Sequence, residues 1–345
     1  MQEKNPELTI CSVYHSEMTK RILIMNEEFM KYMNPGVSWI RLAANNSLKE
    51  PIHLNTPGII ELPGGTVPDT APSNSWEGYH DGAATNALLS HVKTRFALIL
   101  DYDFFAIRKN WITETLNYMK EHNVALLGAP YHPKYWTKFR YFPAKYFLLV
   151  DLEKIGNEFY EWDFRPQYTK EDVQKNEAAR AHKMAHSARK HLSPSWFQRF
   201  IAANKKRRYL GKSKDVCFYL YTRYYKNPKT PVECLVPAVR YQDFVYHYGV
   251  PRFVQPLLYA FEKLFPEKWT FVPKKKGYFT FTRFRNFGYY DALKEGLEEY
   301  FWQGKPFGFH LRGFKERRAK EIGRPFDPEE TVNLIETITK SFKSS

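Results

Sequence analysis

The sequence predicts an α/β fold, an open and mostly parallel sheet with helices on both faces. Three observations carry that prediction. Strand-like apolar runs alternate with segments of helical period through the first 155 or so residues, and parallel strands need such crossovers. Apolar residues make up 43% of a 345-residue chain and aromatics 17%, enough for a real core in one large domain or a main domain with an appendage. The longest apolar stretches, near 96–100 and 147–150, are far too short to span a bilayer.

The elements follow in order. "LTICSVY" (8–14) reads as a buried strand ending in a polar turn. Met18, Ile22, Met25, Phe29 and Met33 recur at helical spacing, so a helix covers 18–33. "VSWIRLAANNS" (37–47) is a second strand closed by an Asn-Asn-Ser turn, and "GIIELPGG" (58–65) a short third. "WEGYHDGAATNALLSHV" (76–92) reads as a helix whose small residues Gly82, Ala83, Ala84 and Ala87 allow close packing. "FALIL" (96–100) is a buried strand, and a helix (110–122) and strands at 124–130 and 146–152 complete the first half. Beyond it the texture turns polar and basic from about 160 to 212, with Pro194 as an interruption. A helix is expected at 213–226 with Ser213 as N-cap, a strand at 232–239, an amphipathic helix near 291–302 and a final helix over 328–342. The expected organisation is an α/β half (1–155), a basic helical insertion (156–212), a second half (213–320) and a C-terminal helix (321–345).

The chain carries 52 Lys and Arg against 37 Asp and Glu, a net charge of +15. Such a balance favours an anionic partner (nucleic acid, anionic lipid or phosphorylated small molecules) or is simply a basic surface. Cys11, Cys217 and Cys234 form no C-x-x-C pair, and the first residues do not read as a signal peptide, so a reducing cytoplasmic location is expected. Basic residues interleaved with Trp196, Phe197 and Phe200 make 180–212 either a solvated helical face or a candidate contact to an anionic membrane surface; no nucleic-acid module is recognisable. His182 and His186 stand one helical turn apart, but the intervening Lys-Met-Ala offers no H-E-x-x-H glutamate.

The chemistry concentrates where the strand at 96–100 runs into Asp101 and Asp103. In an open α/β sheet, ligands bind beyond the carboxyl ends of the strands. Tyr14, Asn45, Asn46, Asp101 and Asp103 all lie at such ends. If the chain past the strand stays extended, both aspartates point to one side. Facing carboxylates repel unless a cation lies between them, and a divalent metal with oxygen ligands answers that need. Taken alone, D-x-D is equally a turn or a solvated strand edge.

"FALILDYDFF", preceded by "HDGAATNALLSHV", resembles the core of GT-A glycosyltransferases, particularly the inverting family-2 type. The resemblance extends to "ELTICSVYHS", "WIRLAANNS" and "FGFHLRG", and leaves 160–212 and 250–275 without a match. It implies a GT-A fold and transfer of a sugar from a UDP- or GDP-linked donor to a glycan or lipid-linked acceptor, with Mn²⁺ or Mg²⁺. Carried onto this chain, it makes Asp103 a direct metal ligand and sets Asp101 at the ribose or, through water, at the metal. His310 would complete the metal sphere, although a histidine between Phe309 and Leu311 is equally a structural residue. Tyr14, His15 and Ser16 would flank the nucleoside with Asn45 or Asn46, Asn86 would brace the strand, and Arg312 would help bind the diphosphate. Inversion requires a general base, for which Asp215 is the candidate, unless it merely favours a helix N-terminus. Glu233, Asp243, Asp163 and Asp172 stand in reserve, and a retaining enzyme would need no such base. Two rival classes remain. A sugar-phosphate nucleotidyltransferase needs a Gly-rich loop after the first strand, where "VYHSEMTKR" has no glycine. A basic membrane or nucleic-acid adaptor would bind no nucleotide through a metal.

Overall fold

The computed structural model describes residues 5–47, 52–65, 76–132, 140, 142–156, 164, 216–225, 227–239, 269–273, 279–282, 297–312, 316, 319 and 323–344. The first strands follow the sequence pattern closely: β1 (Leu8–Tyr14), β2 (Ile40–Asn45), β3 (Ile59–Pro63) and β4 (Phe96–Leu100). With β6 (Leu126–Pro130), β7 (Pro143–Asp151) and β8 (Val232–Cys234) they form a seven-stranded sheet in the order β3-β2-β1-β4-β7-β6-β8. Pairing is parallel from β3 through β4 and between β6 and β8. Only β7 runs against its neighbours, and all nine of its residues are buried.

Helix α1 (Glu17–Met33) begins where Ser16 and Thr19 cap each other's backbone N–H groups in a capping box. It buries Ile22, Leu23, Phe29, Met30 and Met33. α2 (Trp76–Leu89) packs on β1 and β2, with Ala83, Ala84 and Leu88 buried, as its run of small residues predicts. α3 (Trp111–Glu121) and the short α4 (Leu152–Ile155) complete the first half. α5 (Phe218–Tyr224) lies within the expected 213–226 helix; its N-cap is Cys217, and Ser213 lies outside the described residues. α6 (Pro328–Lys343) matches the expected last helix, capped by Asp327, and packs against α1. No helix among the described residues is long and apolar enough to cross a membrane.

A second sheet, antiparallel throughout, has the order β11-β10-β9-β12-β13-β5. Its strands are β5 (Phe104–Ala106), β9 (Val236–Val239), β10 (Trp269–Pro273), β11 (Phe279–Thr282), β12 (Glu298–Trp302) and β13 (Lys305–His310). Two expectations change here. The single strand expected at 232–239 divides between the sheets as β8 and β9. The amphipathic helix expected near 291–302 gives way, over 298–302, to strand β12.

All five residues of β12 are buried, so no alternation betrayed the strand. Its Tyr-Phe-Trp run has high β propensity. Gln303 and Gly304, both at positive φ (49° and 73°), supply the two-residue turn to β13. Gly308 lets β13 lie close to β5: a Cβ there would stand 2.6 Å from the Phe105 carbonyl oxygen.

Candidate metal and diphosphate site

The tripeptide Asp101-Tyr102-Asp103 is the junction between the two sheets, since β4 ends at Leu100 and β5 begins at Phe104. It turns rather than staying extended, and Phe104 N–H donates to the Asp101 carbonyl at 3.2 Å. The two carboxylates nonetheless reach one place. Ligand atoms of Asp101, Asp103 and His310 all lie within 4.8 Å of one another.

The turn is anchored from both sides. Asn26 Nδ2 donates to the Phe104 carbonyl at 2.7 Å, and Leu311 N–H to the Asp103 carbonyl at 3.1 Å. Phe104 and Phe105 pack the strand's exit: Phe104 lies against Phe147, with ring centroids 4.8 Å apart, and Phe105 stacks on Phe309. Pairing of β13 with β5, His310 opposite Phe104, carries the histidine to the acids across 207 residues of chain.

Asp103 is 6% exposed. His310 Nε2 lies 3.1 Å from its Oδ1, and Arg312 N–H donates to its Oδ2 at 2.8 Å. To present that N–H, Arg312 takes a left-handed backbone (φ 48°), at a cost of about 1 kcal/mol for a residue with a Cβ. Burial penalises the Asp103 charge, but the His310 cation and these hydrogen bonds outweigh it and hold the carboxyl below its ordinary range. Burial equally opposes charge on His310. The facing carboxylates of Asp103 and Glu298 prevail and lift the imidazole to about 9.

Asp101 is more open and has a different partner. Lys145 Nζ, from the buried strand β7, lies 2.8 Å from both Asp101 Oδ1 and Asp81 Oδ1 on α2. The lysine side chain is 7% exposed, against 27% for Asp101 and 34% for Asp81. Burial alone would lower its pKa, and the two carboxylates instead drive it up. The groups surround a cavity of about 260 Å³ that Arg312 also lines. The Arg312 guanidinium sits 4.9 Å from the Tyr131 ring centroid. Tyr146 stacks on His310 at 4.3 Å, and its hydroxyl bonds Tyr300 and the Pro130 carbonyl.

The remaining candidates fall elsewhere. Tyr14 is fully buried, its hydroxyl donating to Glu61 Oε1 at 2.8 Å and lying 2.9 Å from the Ile52 carbonyl oxygen. Asn45 Nδ2 donates to the same Glu61 oxygen at 2.9 Å, so the ends of β1, β2 and β3 share one carboxylate. The Asn46 N–H donates to the Tyr14 carbonyl. His15 is exposed, with its ring 6.0 Å from Tyr102, and Ser16 is spent on capping α1. Asn86 Oδ1 accepts from Phe164 N–H at 3.1 Å, which ties α2 to residue 164. Glu233 lies on β8 opposite Leu127. Asp215, Asp163, Asp172, Asp243, the histidine pair 182/186 and the basic stretch 180–212 lie outside the described residues.

Sequence reasoning passed over Asp81, Lys145, Glu298 and Glu61. A signal for Lys145 was available: it is the one charge inside "YFPAKYFLLV" (141–150). Glu298 offered none, because a surface helix accommodates glutamates freely.

The donor set suits a divalent cation. Two carboxylates and an imidazole converge, and His310 has a carboxylate on its far nitrogen, the usual outer partner of a metal-bound histidine.

No protein-family model matches the chain, and no curated protein matches it. Among solved structures the chain is similar to S. aureus TarS, at 10% identity and a TM-score of 0.33, over 48% of this chain and 52% of that one. It is similar to the mannosyltransferase PcManGT of Pyrobaculum calidifontis, solved with GDP-Man and Mn²⁺, at 11% identity and a TM-score of 0.29, over 44% of this chain and 46% of that one. Galactosyltransferase LgtC, solved with donor and acceptor sugar analogues, gives 13% identity and a TM-score of 0.28, over 48% of this chain and 69% of that one. The matched region spans about half of TarS and PcManGT. Likeness at this level assigns no residue of the present chain a role, so the chemistry is argued from its own side chains.

Proposed function

We propose that the protein is a GT-A-type glycosyltransferase that moves a sugar from a nucleoside-diphosphate donor to a glycan or lipid-linked acceptor, with inversion at the anomeric carbon. A single observation carries the reading: Asp101, Asp103 and His310, brought together from two sheets, share a cavity with the cations Lys145 and Arg312.

A bound Mn²⁺ or Mg²⁺ would neutralise charge on the diphosphate as it leaves. Asp103 and His310, both buried, would hold that ion, with Asp101 beside it. The Arg312 guanidinium matches phosphate geometry and would face the same oxygens. Lys145 would keep Asp101 in place while the cavity is empty and offer its ammonium to the donor when it fills. The acceptor hydroxyl attacks the anomeric carbon from the face opposite the diphosphate and gives up its proton to a carboxylate. Asp215, three residues before α5, is the candidate for that base. In this reading the basic stretch 180–212 rests on an anionic membrane surface, from the cytoplasmic side, where a lipid-linked acceptor would present itself.

Thermal-shift titration with UDP- and GDP-sugars, with and without Mn²⁺, tests the reading. A donor that binds only the folded protein raises its melting temperature by mass action. The expected result is a shift that needs both nucleotide sugar and metal and is absent in Asp103→Ala. The same shift in that variant would sink the metal assignment. Release of pyrophosphate from a nucleoside triphosphate would favour a nucleotidyltransferase instead.

A further inference from the structure

His310 has two ring nitrogens, and only one can face a cation. A neutral imidazole carries a single proton, so something must keep that proton off the nitrogen that points to Asp103. Glu298 is placed to do so. It lies directly opposite His310 in the antiparallel register of β12 and β13, with Oε2 at 3.1 Å from Nδ1. It is 1% exposed. The Tyr146 ring, tilted 18° to the imidazole, holds the ring's plane from one side.

We propose that Glu298 is a positioning residue: it holds the proton of His310 on Nδ1 and leaves the Nε2 lone pair turned toward a divalent cation shared with Asp103. The inference rests on the metal reading of the site. A carboxylate accepting from Nδ1–H makes a charge-assisted bond, about twice as strong as a neutral one, and also raises the basicity of Nε2. Burying a carboxylate is expensive, and replacing an entire buried ion pair by well-packed apolar residues commonly leaves a fold as stable or more so. A buried glutamate that opens β12, its Oε2 on the histidine's Nδ1, therefore points to chemistry rather than packing.

The test measures Mn²⁺ affinity of the full chain by the electron spin resonance of free Mn²⁺, in saturating UDP and separately in saturating GDP. Glu298→Gln keeps an acceptor at Nδ1 and is expected to weaken binding a few-fold. Glu298→Leu removes it, for an expected loss of about 10–100-fold. In a His310→Ala background the leucine substitution should add nothing, because its effect passes through the imidazole. An unchanged affinity in Glu298→Leu overturns the proposal, and so does an equal loss in both backgrounds, which would mark a merely structural role. Should Glu298→Leu fail to fold, Glu298→Gln decides through its own Mn²⁺ affinity in the wild-type and His310→Ala backgrounds. An affinity identical to wild type, or an equal loss in both backgrounds, overturns the idea. If wild type binds no Mn²⁺ with either nucleotide, the metal reading itself falls, an outcome distinct from a metal site indifferent to Glu298.

Discussion

The two aspartates of one tripeptide live in different surroundings. Asp101 closes the seven-stranded sheet, is about a quarter exposed, and pairs with a lysine that a second carboxylate shares. Asp103 opens the antiparallel sheet, is nearly buried, and is held by a histidine and a backbone N–H from far along the chain. The difference teaches what each can do. Asp101 can exchange its partner for water or ligand at little cost, because its charge stays partly solvated. Asp103 cannot lose its partners unless another cation arrives, because an unpaired buried carboxylate is costly. The tripeptide thus joins an adaptable group to an obligatory one.

Breaking the obligatory side should have the largest effect. Asp103→Ala should reduce Mn²⁺-dependent nucleotide binding at least 100-fold by calorimetry, whereas Asp101→Ala should cost less. Equal losses would erase the distinction.

The next effect is a pH dependence. The His310 pKa stands near 9 in the folded protein against 6.5 ordinarily. A raised folded pKa means that the metal-free protein gains stability fully below about pH 6.5 and loses it as pH rises toward 9. The loss is on the order of a few kcal/mol. Metal binding must displace the Nε2 proton, so Mn²⁺ affinity should rise over the same window, by up to about tenfold per pH unit. Melting curves with and without Mn²⁺ from pH 6 to 9.5 should therefore diverge, and parallel curves would show that Nε2 gives up no proton to the ion.

Lys145→Met probes the adaptable side. It leaves Asp81 and Asp101 facing each other without their cation. After a discount for their partial exposure, the loss of stability should be about 1–2 kcal/mol, a fall of a few degrees in melting temperature. Mn²⁺ without nucleotide should bind several-fold more tightly, since a competing cation is gone. Unchanged Mn²⁺ affinity would separate the lysine from the metal site. The smallest effect is expected from Tyr300→Phe, which removes a hydroxyl 2.7 Å from that of Tyr146 and costs about 1 kcal/mol by urea unfolding. A larger loss would make the tyrosine pair a principal support of the ring on His310.

Legibility in the sequence followed the same division. Strands β1 to β4, with α1 and α2 between them, were readable because each is a local pattern: an apolar run, a helical period, a turn of small polar residues. Asp101 and Asp103 were legible as a pair because they end such a run. The second sheet was not. Its β5 is only three residues long, and β12 is buried on both faces, which hides a two-residue period inside what passes for a helix. His310 was visible only through a family resemblance, and Glu298 not at all. Lys145 was present as an anomaly, one charge in an apolar strand, without any hint that two aspartates enclose it.

The sequence by itself determined the alternation of strand and helix in the first half and the placing of acids at a strand end, because short-range patterning governs those features. Only the tertiary structure decided that β4 hands the chain to a second sheet at Asp101-Tyr102-Asp103. It also decided that β13 returns His310 to that turn and that Lys145 and Glu298 stand behind the ligands. These are pairings between residues 12 to 207 positions apart, set by sheet register and by the need to neutralise buried charge, and no local pattern encodes such distances.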